Sequence, residues 1–272
     1  MKKVLFVALS VNQNILNTHY LVSFLENIEK KYILNLSNIN YDIHSVVYTQ
    51  GFGSIIKSSV HDLIRDDTMY NKGYSISEVR DYFTKKAIKE YSPDYIFHCD
   101  DDFKFNDKSL YSVLRDLDYM ESHPQVGLTN MHYHKGGPTD SDEYYDFNPS
   151  RVATRMGILF RADAYSTWGS EYKVTYFEEC VLATYAYMNG YEIKHSVSDI
   201  IHKTKSTGLG LSLERKYGKA NIPGSGRRIL HDLGLLVPSC KSGVYRYDLP
   251  CKVSDKLQKL HDENKLKIFS NN

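Results

Sequence analysis

Short apolar runs alternate with amphipathic stretches along most of this chain. "KKVLFVALS" is an unbroken apolar run of strand length. "NILNTHYLVSFLENIEKK" after it carries Ile15, Tyr20, Leu21, Phe24, Leu25 and Ile28 at helical spacing, so the two together predict a βα unit. "DIHSVVYT" predicts a second strand closed by a turn at Gly51 and Gly53, and "SEVRDYFTKKAIKEY" predicts an amphipathic helix stopped by Pro93. Next come a strand in "DYIFHC", a helix in "DKSLYSVLRDLDYMES" and a strand in "QVGLTNMHY". A polar loop rich in Gly, Pro and Asp runs from Lys135 to Ser150. "GILFRADAY" predicts a strand entering a turn, and "FEECVLATYAYMNGY" a helix that ends at Gly190. This alternation predicts an α/β fold with a mostly parallel central sheet flanked by helices. In such sheets ligands gather beyond the carboxyl ends of the strands.

One predicted strand end carries unusual charge. "YIFHCDDDFKF" sets Asp100, Asp101 and Asp102 directly after an apolar run. Three adjacent carboxylates repel one another and resist desolvation, so core packing gives no reason to collect them. In extended backbone Asp100 and Asp102 point to one side and Asp101 to the other. Two hard oxygen donors on one side of a strand end suit Mg²⁺ or Mn²⁺. The bland alternative is a solvated loop leading into the helix that begins near Asp107.

Composition narrows the class. The 272 residues are 42% hydrophobic, enough for a sizeable core. No apolar run approaches the ~20 residues that span a bilayer, and the opening segment reads as a first strand rather than a secretion signal. The four cysteines, Cys99, Cys180, Cys240 and Cys251, show no CxxC pair or zinc spacing, so reduced thiols and a cytoplasmic location are expected. The formal net charge of +1 conceals a division: residues 202–272 hold 14 Lys or Arg against 6 Asp or Glu, leaving 20 against 27 for residues 1–201. That division suits a cation-binding body with an anion-facing tail, or two solvated surfaces of opposite sign.

The triplet and its surroundings resemble the DxD motif of GT-A glycosyltransferases, which use nucleotide-diphosphate sugars. Four further stretches agree in order. "NKGYSISEVRDYF" resembles the N-x-G-x-x-x-x-R-N segment that precedes the DxD in family 2 members, and "GILFRADAY" the strand before the acceptor site. "YFEECVLATYAYMNGYEI" resembles the E-D motif that opens a helix ending in Gly, and "DIIHKTKSTG" the late metal-binding His. Residues 1–210 carry the resemblance, which implies a Rossmann-like GT-A catalytic domain followed by a basic extension over 211–272. The chain departs from the family where "VVYTQGFGS" lacks the Asp that commonly reads the nucleotide, and where Glu178–Glu179 stands for E-D.

The resemblance implies a site. Asp102, Asp100 and His202 hold Mn²⁺ or Mg²⁺, and Glu179, with Glu178 as alternate, is the base that deprotonates an acceptor hydroxyl. Asn12, Gln13, Asn71, Lys72 and Arg80 contact the nucleotide sugar, as do Asp100, Asp101, Lys203 and Lys205, with Asp101 near Arg80. A UDP-sugar is the expected donor, and single displacement would invert the anomeric centre.

The acceptor is open among a saccharide, a protein, a lipid-linked intermediate and DNA. Between His202 and Arg228 stand seven basic residues and one acidic, in a Gly- and Pro-containing stretch suited to a loop that closes over a donor or grips a polyanion. The Lys-, Asn-, Ile- and Tyr-rich composition resembles that of phage proteins, which brings in hydroxymethylated DNA as acceptor. Two rivals remain: a nucleotidyltransferase acting on sugar phosphates, and a non-catalytic module that binds nucleotide sugar or nucleic acid.

Overall fold

The computed structural model describes residues 1–11, 41–51, 62–70, 72–100, 103–104, 107–133, 144–149, 157–165, 173–174, 178–198, 201–202, 224–237, 239–241, 244–246 and 251–269. Eight strands form the central sheet, in the order β3-β2-β1-β4-β8-β6-β9-β7. They are β1 (Lys2–Val11), β2 (Tyr41–Gln50), β3 (Asp62–Arg65), β4 (Tyr95–Asp100), β6 (Val126–Tyr133), β7 (Tyr145–Asp146), β8 (Ile158–Arg161) and β9 (Glu192–Ser198). The pairings β3–β2, β2–β1, β1–β4 and β6–β9 are parallel, whereas β8 and β7 run antiparallel to their neighbours. The expected mostly parallel sheet is therefore present.

Side-chain alternation divides the core into two layers. Leu5, Val7, Tyr48, Ile96, Leu128, Phe160 and Ile193 face α1 (Ile76–Tyr91) and α3 (Glu178–Met188). Val4, Phe6, Val47, Tyr95, Phe97, Met131 and Leu159 face α2 (Asp107–Ser122). Each large apolar side chain fully buried here contributes about 1.5–3 kcal/mol.

Local chemistry sets the helix ends. Ser75 caps α1 in a reciprocal box with Glu78: the Glu78 N–H reaches the Ser75 hydroxyl at 3.4 Å, and the Ser75 N–H reaches Glu78 Oε2 at 2.7 Å. α1 ends where Ser92 turns left-handed at φ 46°, just before Pro93. Arg161, the basic residue at the end of β8, donates to the carbonyls of Met120, in the last turn of α2, and of Val126, while covering the Tyr95 ring. Its charge therefore serves the fold.

The C-terminal segment adds α4 (Gly226–Asp232) and α5 (Asp255–Phe269), whose Leu230 and Leu257 are fully buried in the α1–α3 layer. α5 lies along the end of α3: Asn264 donates to the Met188 carbonyl at 2.8 Å, and Lys265 pairs with Glu192 at 2.9 Å. Gly190, at φ 92°, lets the two approach, since a Cβ there would stand 2.5 Å from the Lys265 nitrogen. Among the described residues no helix is long and apolar enough to cross a membrane, and Cys180 and Cys251 are buried.

Candidate functional site

From β1 the sheet grows to one side through β2 and β3, and β4 then returns to the other flank of β1. The carboxyl ends of β1 and β4 thus form a topological switch point, where open α/β sheets bind ligands. The register pairs Leu9 with Asp100, so the acidic triplet starts at that point. Beyond it, β5 (Phe103–Lys104) pairs antiparallel with β10 (Ile201–His202). His202 lies opposite Phe103, the residue after Asp102.

This two-residue ladder sets His202 beside the short strand that follows the triplet in sequence. Two carboxylates and an imidazole form a donor set of the kind Mn²⁺ takes, and Mg²⁺ accepts the oxygens. By donor chemistry alone, Asp100 and His202 suit such an ion. Asp101 and Asp102 lie outside the described residues, and among those described no group of three or more His, Cys, Asp or Glu gathers to hold a metal.

The acid pair opens α3. Glu178 is mostly buried, and its Oε1 lies 3.3 Å from Arg80 Nε on α1. Glu179 follows it, half-buried. The chain leading to the pair is fastened to α1 as well: the Val174 N–H reaches the Ser77 hydroxyl at 3.1 Å, and the Ser77 N–H reaches the Val174 carbonyl at 3.4 Å. Further along α1, Asp81 accepts the Tyr165 hydroxyl at 2.6 Å, and Thr84 Oγ1 meets His98 Nε2 at 2.7 Å. Burial and then the Asp81 charge push the Tyr165 hydroxyl well above its ordinary pKa, so it stays a donor. Cys180, beside the pair, has its thiol pushed up to about 12, chiefly by burial.

The end of β2 is also built up. Gly51, at φ 69°, lies under the Tyr70 ring, where a Cβ would come within 2.3 Å of Tyr70 Cζ. Its N–H donates to Asp67 at 2.7 Å, and Gln50 Nε2 donates to the Asp66 carbonyl at 3.2 Å. Two acids that follow β3 thus stand beside the strand end at which the sequence lacks one. Asp67 went unanticipated, although "LIRDD" repeats in short form the apolar-then-acidic pattern of "YIFHCDDD".

Of the residues expected at a site, Arg80 and Glu178 come together, Glu179 follows in the same helix turn, and His202 comes beside Phe103. Lys72 is exposed near the start of α1. Asn12, Gln13, Asn71, Asp101, Asp102, Lys203 and Lys205 lie outside the described residues.

No protein-family model matches the sequence, and no curated protein does. Solved structures match in shape. Glucosyl-3-phosphoglycerate synthase from Mycobacterium tuberculosis, in complex with Mn²⁺, UDP and glucosyl-3-phosphoglycerate, is 11% identical and superposes with a TM-score of 0.53 over 94% of this chain and 92% of that one. The same enzyme with Mn²⁺, UDP-glucose and phosphoglyceric acid is 10% identical, with a TM-score of 0.51 over 94% and 91%. Residues 1–349 of S. aureus TarS are 13% identical and cover 99% of this chain and 72% of that one, at a TM-score of 0.42 too loose to bear on the fold. The mostly parallel sheet with flanking helices is the GT-A-like fold of nucleotide-sugar glycosyltransferases.

Proposed function

We infer that this chain is a metal-dependent glycosyltransferase that moves a sugar from a nucleotide-diphosphate sugar, a UDP-sugar, to an acceptor hydroxyl. The observation that carries this is the β5–β10 pairing at the switch point, which sets His202 opposite the residue after Asp102. The Mn²⁺ and UDP in the Mycobacterium tuberculosis enzyme of the same fold support the donor class. Asp100, Asp102 and His202 would hold Mn²⁺ or Mg²⁺, which when bound neutralises diphosphate oxygens and improves the leaving group.

The chain's own residues supply the rest. Glu179 takes the proton of the acceptor hydroxyl as that oxygen attacks C1; the bond from C1 to the diphosphate oxygen breaks, and C1 inverts. Glu178, engaged by Arg80 at 3.3 Å, is the weaker candidate for the base. Asn12, Gln13, Asn71, Lys72 and Asp101 are donor contacts, with Lys203 and Lys205 beside the diphosphate.

Residues 1–210 form the catalytic domain, and 211–272 pack on it or close over the active site; the burial of Leu230 and Leu257 beneath α3 supports the packing. The basic excess of residues 202–272 supports a polyanionic acceptor. DNA with hydroxymethylated bases joins a polyanion to a hydroxyl, and a neutral saccharide is the alternative. Salt separates them, since binding to DNA weakens steeply between ~50 and ~200 mM salt and binding to a neutral sugar does not.

A donor panel with Mn²⁺ or Mg²⁺, followed by thermal unfolding and product analysis, tests the class. One UDP-sugar with metal is expected to raise the unfolding midpoint and to release UDP. Pyrophosphate release would identify a nucleotidyltransferase, and the absence of any metal-dependent shift would refute the proposal.

A further inference from the structure

α1 grips the chain on both sides of the point where the acid pair begins. Ser77 and Val174, both fully buried, exchange two hydrogen bonds ahead of the pair. One turn along the same helix Arg80 meets Glu178, with side chains only 17% and 10% exposed. One turn further, Thr84 binds His98, two residues before Asp100. A single rigid helix therefore joins the strand that ends in the acidic triplet to the residue that opens α3.

The burial of this ion pair argues for a geometric role. Two charges withdrawn from water recover little net stability, but separating them is costly, so the pair holds one arrangement strongly. Glu178 is the first residue of α3, and fixing its side chain orients the turn that carries Glu179.

We propose that Arg80 is a positioning residue: through Glu178 it holds the first turn of α3 so that Glu179 meets the acceptor oxygen in a productive orientation. This rests on the glycosyltransferase function proposed above, with Glu179 as base, and reassigns Arg80 from a donor contact. Misplacement of a catalytic group by ~1 Å can cost ~10²-fold in rate, which sets the scale of the effect.

The test uses the full chain with Mn²⁺ and whichever UDP-sugar the wild type hydrolyses, water serving as acceptor. Arg80→Gln is expected to lower kcat for UDP release ~10–100-fold while leaving the calorimetric affinity for UDP unchanged. Arg80→Lys recovers part of the loss. Glu178→Gln lowers kcat in the same way, and the double variant is no slower than either single one, since both remove one interaction. Hydrogen exchange at residues 178–181 rises in Arg80→Gln without global unfolding. Weakened UDP binding with kcat unchanged, or losses that multiply in the double variant, would overturn the proposal. If the wild type releases UDP from no donor, the glycosyltransferase function itself fails; hydrogen exchange then decides the positioning role, and unchanged exchange in Arg80→Gln refutes it.

Discussion

On the face of the sheet covered by α2, the buried polar groups close on one another. On the face covered by α1 and α3, they stand in a row along one helix and lead to the strand ends. In the first, fully buried Asp116 receives hydrogen bonds from Ser196 at 2.5 Å and Tyr144 at 3.0 Å and pairs with Arg115 at 3.0 Å. Burial raises the Asp116 pKa, and the opposing pull of Arg115 and the hydroxyls does not fully offset it. In the second, Ser77, Arg80, Asp81 and Thr84 each fasten α1 to a different segment. A polar network can thus tie a helix to its own sheet or hold a chemical group at a distance from its partner. Only the second arrangement reaches the residues proposed to carry chemistry.

The largest effect expected on the α1–α3 face is chemical. Glu179→Gln removes the proposed base and should slow transfer ~10²–10⁴-fold at unchanged UDP affinity, read as UDP release with metal present. On the α2 face the largest effect is on folding. Asp116→Ala leaves half-buried Arg115 without this partner charge and removes the acceptor of Ser196 and Tyr144, and should lower stability by about 3 kcal/mol in urea unfolding, without altering UDP affinity. An Asp116 variant that folded normally but failed to bind UDP would erase the distinction between the faces.

Smaller effects sharpen it. Thr84→Val takes the hydroxyl from His98 and should cost about 1 kcal/mol of stability, measured by the same unfolding curves. Asp66, after β3, pairs with Lys86 of α1 at 2.8 Å. Burial raises its pKa, but hydrogen bonds from Lys86 and Thr68 outweigh that and hold the carboxyl below its ordinary 3.8. Because the folded value is depressed, the stabilisation is complete above 3.8 and disappears as pH falls through the lower folded value. Wild type should therefore exceed Asp66→Asn by up to about 1 kcal/mol near neutral pH, the gap narrowing in acid titrations of stability once the pH has fallen below 3.8.

The elements legible in the sequence were those with clear periodicity. β1, β2, β4, β6 and β8 read as apolar runs because both faces of each meet the core, and α1, α2 and α3 read as helices because one face of each does. β9 was illegible: Glu192, Lys194 and Ser196 give it a surface character, yet Ser196 is buried on Asp116 and Lys194 is paired with Asp146. α4 and α5 offer few apolar positions, and their place against α3 depends on Leu230, Leu257 and the opening at Gly190. In the site, the triplet and the acid pair stood out as local charge patterns. The Arg80–Glu178 pair did not, because nothing local in either segment records a partner so distant in the chain. Asp116 was equally hidden, since a helical aspartate looks solvated until its partners close around it.

The central claim is that the strand end at Asp100–Asp102 and the histidine that β10 brings beside it form one metal-dependent donor site. Calorimetric titration of UDP with Mn²⁺, and again with chelator, on the wild type and on Asp102→Ala and His202→Ala tests it most directly. The expected result is binding that requires the metal and is lost or severely weakened in both variants. UDP binding that survives chelation, or that neither substitution disturbs, would contradict it.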